Sequence, residues 1–259
     1  MEAYFDMTMR QKVVFECLHA PHAQDFLLAI LIDGLGQHMS LVEYCTILKY
    51  RLIILLFSVD AICPVCRKVC LDSFGEHMVH CKELLGFKYQ HNMVKNVLFD
   101  ICRHVGIFAK KEALVNFLTD LSDEISTFRQ TDVLVFGRVR GKHACVDLTG
   151  VSLLMGLSGR GLTVGQTALK AASCKMTKHE KARIKNQHVF IPFAFDTFGF
   201  LAPEAVELLN IVQQIINSNV VTPRSTNVVF HRISFAIKKR TSDAACCSFA
   251  FHHYVKNKL

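Results

Sequence analysis

Apolar and polar positions alternate in a way that predicts one helix and three strands in the middle of the chain. Residues 87–105 place apolar side chains at helical spacing, and Gly106 comes next, where a helix C-terminal cap is expected. Short β-like runs come after it, separated by polar and glycine-containing connections that are typical of a strand meander. These runs are residues 107–114, 133–136 and 144–148.

The pattern continues with elements that complete an α/β arrangement. Residues 164–186 are rich in alanine, lysine and glutamine and predict a helix, and residues 189–196 form an apolar run typical of a buried strand. Two further helices are predicted at residues 203–217, which open on a proline, and at residues 228–239. The fold class is therefore predicted to be α/β, in the order α, three β, α, β, α, α.

The N-terminal part of the chain predicts a helical segment and a small cysteine-rich segment. Ser40 and Glu43 have the spacing of a capping box, and apolar residues continue from there to about residue 57. We therefore divide the chain into four parts, which are a helical segment (1–58), a knuckle (59–84), an α/β domain (86–240) and an unstructured tail (241–259).

The amino-acid composition indicates the class of partner and the cellular compartment of the protein. The 51% hydrophobic content is enough for a buried core, and 30 Lys and Arg against 22 Asp and Glu leave a net charge of +8, which favours phosphate-bearing partners. Eleven cysteines and the absence of a signal-like N-terminus favour a reducing, intracellular location. The longest apolar stretch, residues 52–59, is far shorter than the ~20 residues of a membrane span, so no membrane partner is expected.

Four residues have the spacing of a zinc site. Cys63 and Cys66 form a Cys-x-x-Cys pair, and His77 with Cys81 supplies a second pair after ten intervening residues. Zinc binds four such ligands tetrahedrally, and a site closed by four protein ligands is structural rather than catalytic. The alternative interpretation is that these are free or buried thiols near an unrelated histidine.

A second constellation consists of acidic and basic residues in the predicted strands and helices. Asp132 and Asp147 lie at strand edges that a turn can bring side by side, where they can hold Mg²⁺, and Glu112 can add a third oxygen ligand. Lys175 and Lys178 share a face of the next helix and can stabilise a charged phosphate. The alternatives are turn-edge aspartates and a solvated helix face.

Together these motifs resemble the C-terminal part of plant non-long-terminal-repeat retrotransposon proteins, which carry a restriction-like endonuclease. The resemblance covers about residues 15–240 and is carried by CPVC, DSFGEHMVHC, GFKYQHN, ACVDLTGV, a Lys-x-x-Lys-His motif and FIPFAFDTFGFLAPEAV. It implies a CCHC zinc knuckle beside a PD-(D/E)xK-like nuclease that nicks target DNA before reverse transcription. DNA or RNA is then the implied partner, the nucleus the implied location, and no small-molecule cofactor is expected.

The resemblance also implies roles for individual residues. The knuckle falls on Cys63, Cys66, His77 and Cys81, the paired acids on Asp132 and Asp147, and the helical motif on Lys175, Lys178 and His179. No Tyr-x-Asp-Asp polymerase signature is present, so residues 1–58 are interpreted as the remnant of a segment that comes after a polymerase domain.

The chain departs from the family pattern at three places. Thr131 replaces the usual proline, Gln90-His91-Asn92 replaces a basic-His-Asp motif, and Thr149 stands where an Asp-x-Lys motif has lysine. Three hypotheses therefore stay open: a Mg²⁺-dependent DNA endonuclease, a non-catalytic zinc-dependent nucleic-acid-binding module, and a structural or interaction protein without metal. The distance between Asp132 and Asp147 discriminates the first two.

Overall fold

The computed structural model describes most of the chain. The described residues are 6–29, 38–57, 61–63, 66–68, 70–75, 77, 79, 81, 85–116, 128–139, 141–153, 163–185, 188–219, 227–239 and 241. They form an α/β structure whose central element is a four-stranded mixed sheet, so the predicted fold class is confirmed at this level. Residues 242–259 of the predicted tail lie outside the described residues.

The N-terminal segment contains two helices with the same type of start. Helix α1 (Met9–Leu18) and helix α2 (Leu41–Arg51) each begin with a capping box, which for α2 is the predicted pair of Ser40 and Glu43. A short 3₁₀ helix, Asp25–Leu28, lies between them.

Helix α2 ends earlier than the predicted limit near residue 57. It stops at Arg51, and Ile53 adopts a left-handed conformation with φ of 54°. The backbone N–H groups of Leu56 and Phe57 then donate to the carbonyl of Ser73, 2.8 and 3.1 Å away. Because these N–H groups bond to the cysteine-rich segment, the apolar residues after Arg51 do not continue the helix.

That segment contains a minimal hairpin, and a long helix comes after it. Strands β1 (Ala61–Ile62) and β2 (Cys70–Leu71) pair antiparallel, and helix α3 spans Leu85–His104. The predicted cap at Gly106 is present, because Gly106 has φ of 73° and its N–H donates to the carbonyl of Arg103.

The main sheet is a meander extended by one parallel strand. Its strands are β3 (Ala109–Asn116), β4 (Phe128–Val139), β5 (Lys142–Val151) and β6 (His188–Asp196), in that spatial order. Strands β3, β4 and β5 pair antiparallel, while β5 and β6 pair parallel through the crossover helix α4 (Gln166–Lys185). Helix α5 (Pro203–Asn219) and helix α6 (228–239) complete the predicted order of elements.

The sheet is covered on both faces. Helices α3, α5 and α6 share the main hydrophobic cluster with the side chains of Val133, Val146 and Phe193. Helix α4 packs on the opposite face, where Ala172 meets Ala194 and Met176 meets Leu134 and Phe190. Side chains alternate between faces along each strand, so Asp147, two residues after Cys145, belongs to the α4 face.

The N-terminal segment, the knuckle and the α/β domain share a second hydrophobic cluster. It combines buried residues from α1, α2, the knuckle, the β6–α5 connection and α6, namely Val14, Ile47, Phe57, Cys81, Phe198 and Phe235 among others. None of the helices in the described part of the chain is both long and apolar enough to cross a membrane.

A buried polar network joins α2 and α6 to the loop after β6. The side chain of Arg51 donates to the carbonyl of Phe198 (3.0 Å), and Lys238 donates to the carbonyl of Thr197 (2.8 Å). Asp196, which is fully buried, accepts the N–H groups of Phe198 and Phe200. Burial raises the pKa of Asp196 and lowers the pKa of Lys238.

Candidate functional sites

The knuckle gathers all four predicted zinc ligands. The Sγ atoms of Cys63, Cys66 and Cys81 and a ring nitrogen of His77 lie within 4.8 Å of one another. Nε2 of His77 is 3.3 Å from Sγ of Cys66. Tetrahedral zinc, with bonds of about 2.0–2.3 Å, separates its ligand atoms by roughly 3.4–3.8 Å. The cluster can therefore hold a metal ion such as zinc.

Hydrogen bonds to the Asp72 carboxylate and the burial of the site prepare His77 as a ligand. The Asp72 carboxylate accepts the N–H groups of Phe74 and His77, both at 3.0 Å, and so fixes the turn that presents His77. Burial lowers the pKa of His77 even though the charge of Asp72 opposes this, and the neutral imidazole is the form that binds metal. Gly75 in this turn has φ of 83°, and an added Cβ would lie 2.8 Å from Leu56.

The predicted acidic pair is brought together in the sheet. Val133 of β4 is paired with Val146 of β5, and continuing the register by one residue places Asp132 across from Asp147. The two carboxyl groups share a hydrogen bond. In addition, the N–H of Leu148 donates to Oδ2 of Asp132 at 2.7 Å. The structure therefore brings the two predicted aspartates together.

The protonation of Asp132 is governed by opposing effects. Burial raises its pKa. The hydrogen bond and the charge of His91 lower it, as do the N–H of Leu148 and the hydrogen bond with Asp147, and these effects together outweigh burial. The pKa of Asp132 therefore lies below its ordinary value, and the carboxylate is the favoured form at neutral pH.

One of the two predicted lysines reaches the acidic pair. The ammonium of Lys175, on α4, lies 2.7 Å from Oδ1 of Asp147 and donates to the carbonyl of Leu148 at 2.9 Å. Lys178, one turn further, is exposed, and within the described ranges no ion pair joins it to these carboxylates. The side chain of His179 lies outside the described residues.

Glu112 lies near the pair but is directed towards another cation. It occupies the β3 position opposite Asp132, with φ of 53°, and the charge of Asp132 acts on it. Its Oε1 lies 2.6 Å from Nζ of the buried Lys95. This hydrogen bond, with the charge of Lys95, lowers the pKa of Glu112. Glu112 therefore neutralises Lys95 and is not a third member of the Asp132–Asp147 contact.

Helix α3 supplies two further residues to the site. Nε2 of His91 lies 2.9 Å from Oδ2 of Asp132, and Lys95 forms the ion pair with Glu112. The sequence pointed to His91 only as part of Gln90-His91-Asn92, and it assigned no role to Lys95. The available signal was their separation of four residues, which places both on one face of an amphipathic helix.

The arrangement offers hard oxygen ligands beside fixed cations. Asp132, Asp147 and the carbonyl of Leu148 are the oxygen types that Mg²⁺ prefers. Among the described residues, the Cys/His cluster alone brings three or more potential side-chain metal ligands within bonding range of one ion. The acidic pair itself offers two carboxylates, with the ammonium of Lys175 beside Asp147.

Comparison with known proteins gives no family for this chain. No protein-family model matches it, and no curated protein is significantly similar to it.

Proposed function

We propose that this chain is a retroelement-derived, metal-dependent DNA endonuclease with a restriction-endonuclease-like core and a structural zinc knuckle. The observation that supports this most directly is the convergence of Asp132, Asp147 and Lys175 from β4, β5 and α4. The order of elements, a helix, three antiparallel strands, a crossover helix and a parallel strand, is the one expected for such a core.

Each residue of the acidic site has a separate role in the proposed chemistry. Asp132 and Asp147 would hold Mg²⁺, which supplies a Lewis acid and a water of lowered pKa at the scissile phosphodiester. His91 and the N–H of Leu148 hold the Asp132 carboxylate in one orientation. Lys175 places a positive charge beside this pair, where it can stabilise the negative charge that develops on the phosphate.

The knuckle and the net charge support nucleic acid as the partner. A metal ion held by Cys63, Cys66, His77 and Cys81 would fix a short segment that has too few apolar residues to fold alone. The net charge of +8 favours a phosphate backbone, and we propose target DNA in the nucleus as the substrate, with RNA as a further ligand.

The test combines metal analysis with a nicking assay. The protein is purified without chelator, its zinc content is measured, and supercoiled plasmid is incubated with and without Mg²⁺. We expect one zinc per chain and Mg²⁺-dependent nicking that Asp132→Asn and Asp147→Asn each abolish. Glu16→Gln, which neutralises an exposed carboxylate on α1, is the matched control and retains activity.

A second function is favoured by one specific observation. Oδ2 of Asp132 already accepts two donors, and Asp147 is paired with Lys175, so the acidic pair is satisfied by the protein's own groups. This favours a non-catalytic nucleic-acid-binding module in which these contacts only hold strands together. Zinc with DNA binding but without nicking would support this alternative and reject the nuclease.

A further inference from the structure

Four ring side chains form a continuous row across the sheet, with one ring from each strand or its immediate start. Phe108, just before β3, is 4.9 Å from Phe136 of β4, measured between ring centroids. Phe136 is 5.2 Å from His143 of β5, and His143 is 5.4 Å from His188 of β6. We refer to these four residues as the ring row.

The backbone fixes the ring row. The N–H of Phe136 donates to the carbonyl of Phe108 at 2.9 Å, and His143 and His188 are direct partners in the parallel strand pair. Nδ1 of His143 accepts the N–H of Gly137 at 3.1 Å, so the neutral ring carries its proton on Nε2. The positions of the rings are therefore fixed by the backbone of the sheet.

The ring row lies on the same sheet face as Asp147 of the acidic pair. His143 is four residues from Asp147 along β5. An even separation keeps side chains on one face, and at ~3.3 Å per residue the distance is about 13 Å. This is about four stacked nucleotides at ~3.4 Å each.

The outer end of the ring row is open and positively charged. Phe108 is 72% exposed, and a Cβ built on Gly106, Gly137 or Gly141 would meet no atom within 4 Å. Lys110, two residues after Phe108 and therefore on the same face of β3, is exposed. The exposed ring of Phe108 beside Lys110 matches the base and the phosphate of a single strand.

We propose that the ring row is a base-stacking site for single-stranded nucleic acid, with Phe108 as its exposed platform. The inference rests on the proposed function, because the ring row would hold an unpaired strand beside the scissile phosphate that is proposed to bind at Asp132 and Asp147. The row contributes stacking, Lys110 contributes a phosphate contact, and Nε2–H of His143 can donate to a base or phosphate. Stacking tolerates any base, so the site binds without strong sequence preference.

The experiment measures binding of fluorescent single strands about 15 nucleotides long, oligo-dT and oligo-U, by anisotropy in Mg²⁺-free buffer without chelator. We expect Phe108→Ala to weaken binding roughly tenfold and Phe108→Leu, which keeps apolar bulk without a ring, to weaken it nearly as much. The dependence of affinity on salt stays unchanged in both variants. Lys110→Ala instead lowers the salt slope by about 0.7.

The matched control is Phe15→Ala, because Phe15 also packs on an imidazole, that of His19 after α1 at 4.4 Å, but lies outside the sheet. Undiminished binding by Phe108→Ala, equal loss in Phe15→Ala, or no single-strand binding by the intact protein would each overturn the inference. The assay does not need cleavage, so plasmid nicking reports separately on the proposed function. If Phe108→Ala loses affinity for both oligonucleotides, the site binds bases by stacking without sequence preference. Loss of affinity for only one of them would contradict this lack of preference.

Discussion

At the residue scale, the carboxylate of Asp132 is the point at which most groups of the candidate site meet. It contacts His91, the N–H of Leu148 and Asp147. Strand-edge spacing predicted its pairing with Asp147, because antiparallel register is a local property of two strands joined by a turn. The contact with His91 could not be predicted, because it depends on how α3 packs against the sheet.

Lys175 gives a prediction in which binding and cleavage change in opposite directions. Its ammonium occupies the point between Oδ1 of Asp147 and the carbonyl of Leu148, where a metal ion would compete with it. Lys175→Met should therefore tighten Mg²⁺ binding while slowing nicking about 10²-fold, since one charge-stabilising group is lost. Calorimetry and a nicking time course measure the two effects, and Lys178→Met is the control. Weaker Mg²⁺ binding by Lys175→Met would contradict this role.

Buried thiols give a prediction on pH. Burial raises the pKa of Cys102 and of Cys145 from 9.0 to about 12. The folded chain keeps these protons while the unfolded chain releases them above about pH 9, so stability falls as pH rises from about 9 to 12. Each thiol contributes a slope of up to about 1.4 kcal/mol per pH unit.

The measurement is urea unfolding at a series of pH values from about 8 to about 11. Wild type should lose stability more steeply with pH than Cys102→Ala/Cys145→Ala, whatever the lower absolute stability of the double variant. Parallel pH profiles for the two proteins would show that these thiols do not titrate in this way.

At the scale of elements, the knuckle and the end of α2 show what local sequence can and cannot predict. The four ligands lie within nineteen residues, so their spacing was sufficient to predict that they cluster. The end of α2 depends on hydrogen bonds from Leu56 and Phe57 to Ser73, and no local pattern encodes these bonds. The ring row likewise required the strand register.

The knuckle gives a prediction on metal content and stability. Cys81→Ser should reduce bound zinc from one per chain to well below one, and the chain should unfold at lower urea because Cys81 also belongs to the shared hydrophobic cluster. Cys45→Ser, which changes an exposed thiol on α2, should keep both properties. Full zinc content in Cys81→Ser would remove this residue from the ligand set.

At the scale of the whole molecule, the network of Arg51, Asp196 and Lys238 connects segments that are distant in sequence. Arg51 contacts a carbonyl 147 residues further along, and Lys238 contacts one 41 residues before it. The sequence predicted the helices that carry Arg51 and Lys238, but not that these charges would be buried. Long-range packing decides which polar residues lose contact with water.

This network gives a prediction on coupling. Lys238→Met removes the donor to the buried carbonyl of Thr197 and one of the two cations near Asp196, so the free energy of unfolding should fall by about 3–5 kcal/mol. Asp196→Leu should also destabilise the chain, while the double variant should lose much less than the sum of the two. Chemical denaturation of the four proteins measures the coupling, and additive losses would show that the two side chains act independently.

The long-range contacts of α2 also determine when this chain can fold during its synthesis. Tyr50 and Arg51 bond to residues 197 and 198, and Lys239 donates to Glu43 across 196 residues. At roughly 5–20 residues per second, a ribosome needs on the order of ten seconds or more to make those partners. The part of the apolar surface that packs on Phe198 and Phe235 stays uncovered for that time, so chaperones that bind nascent chains have a defined interval in which to act.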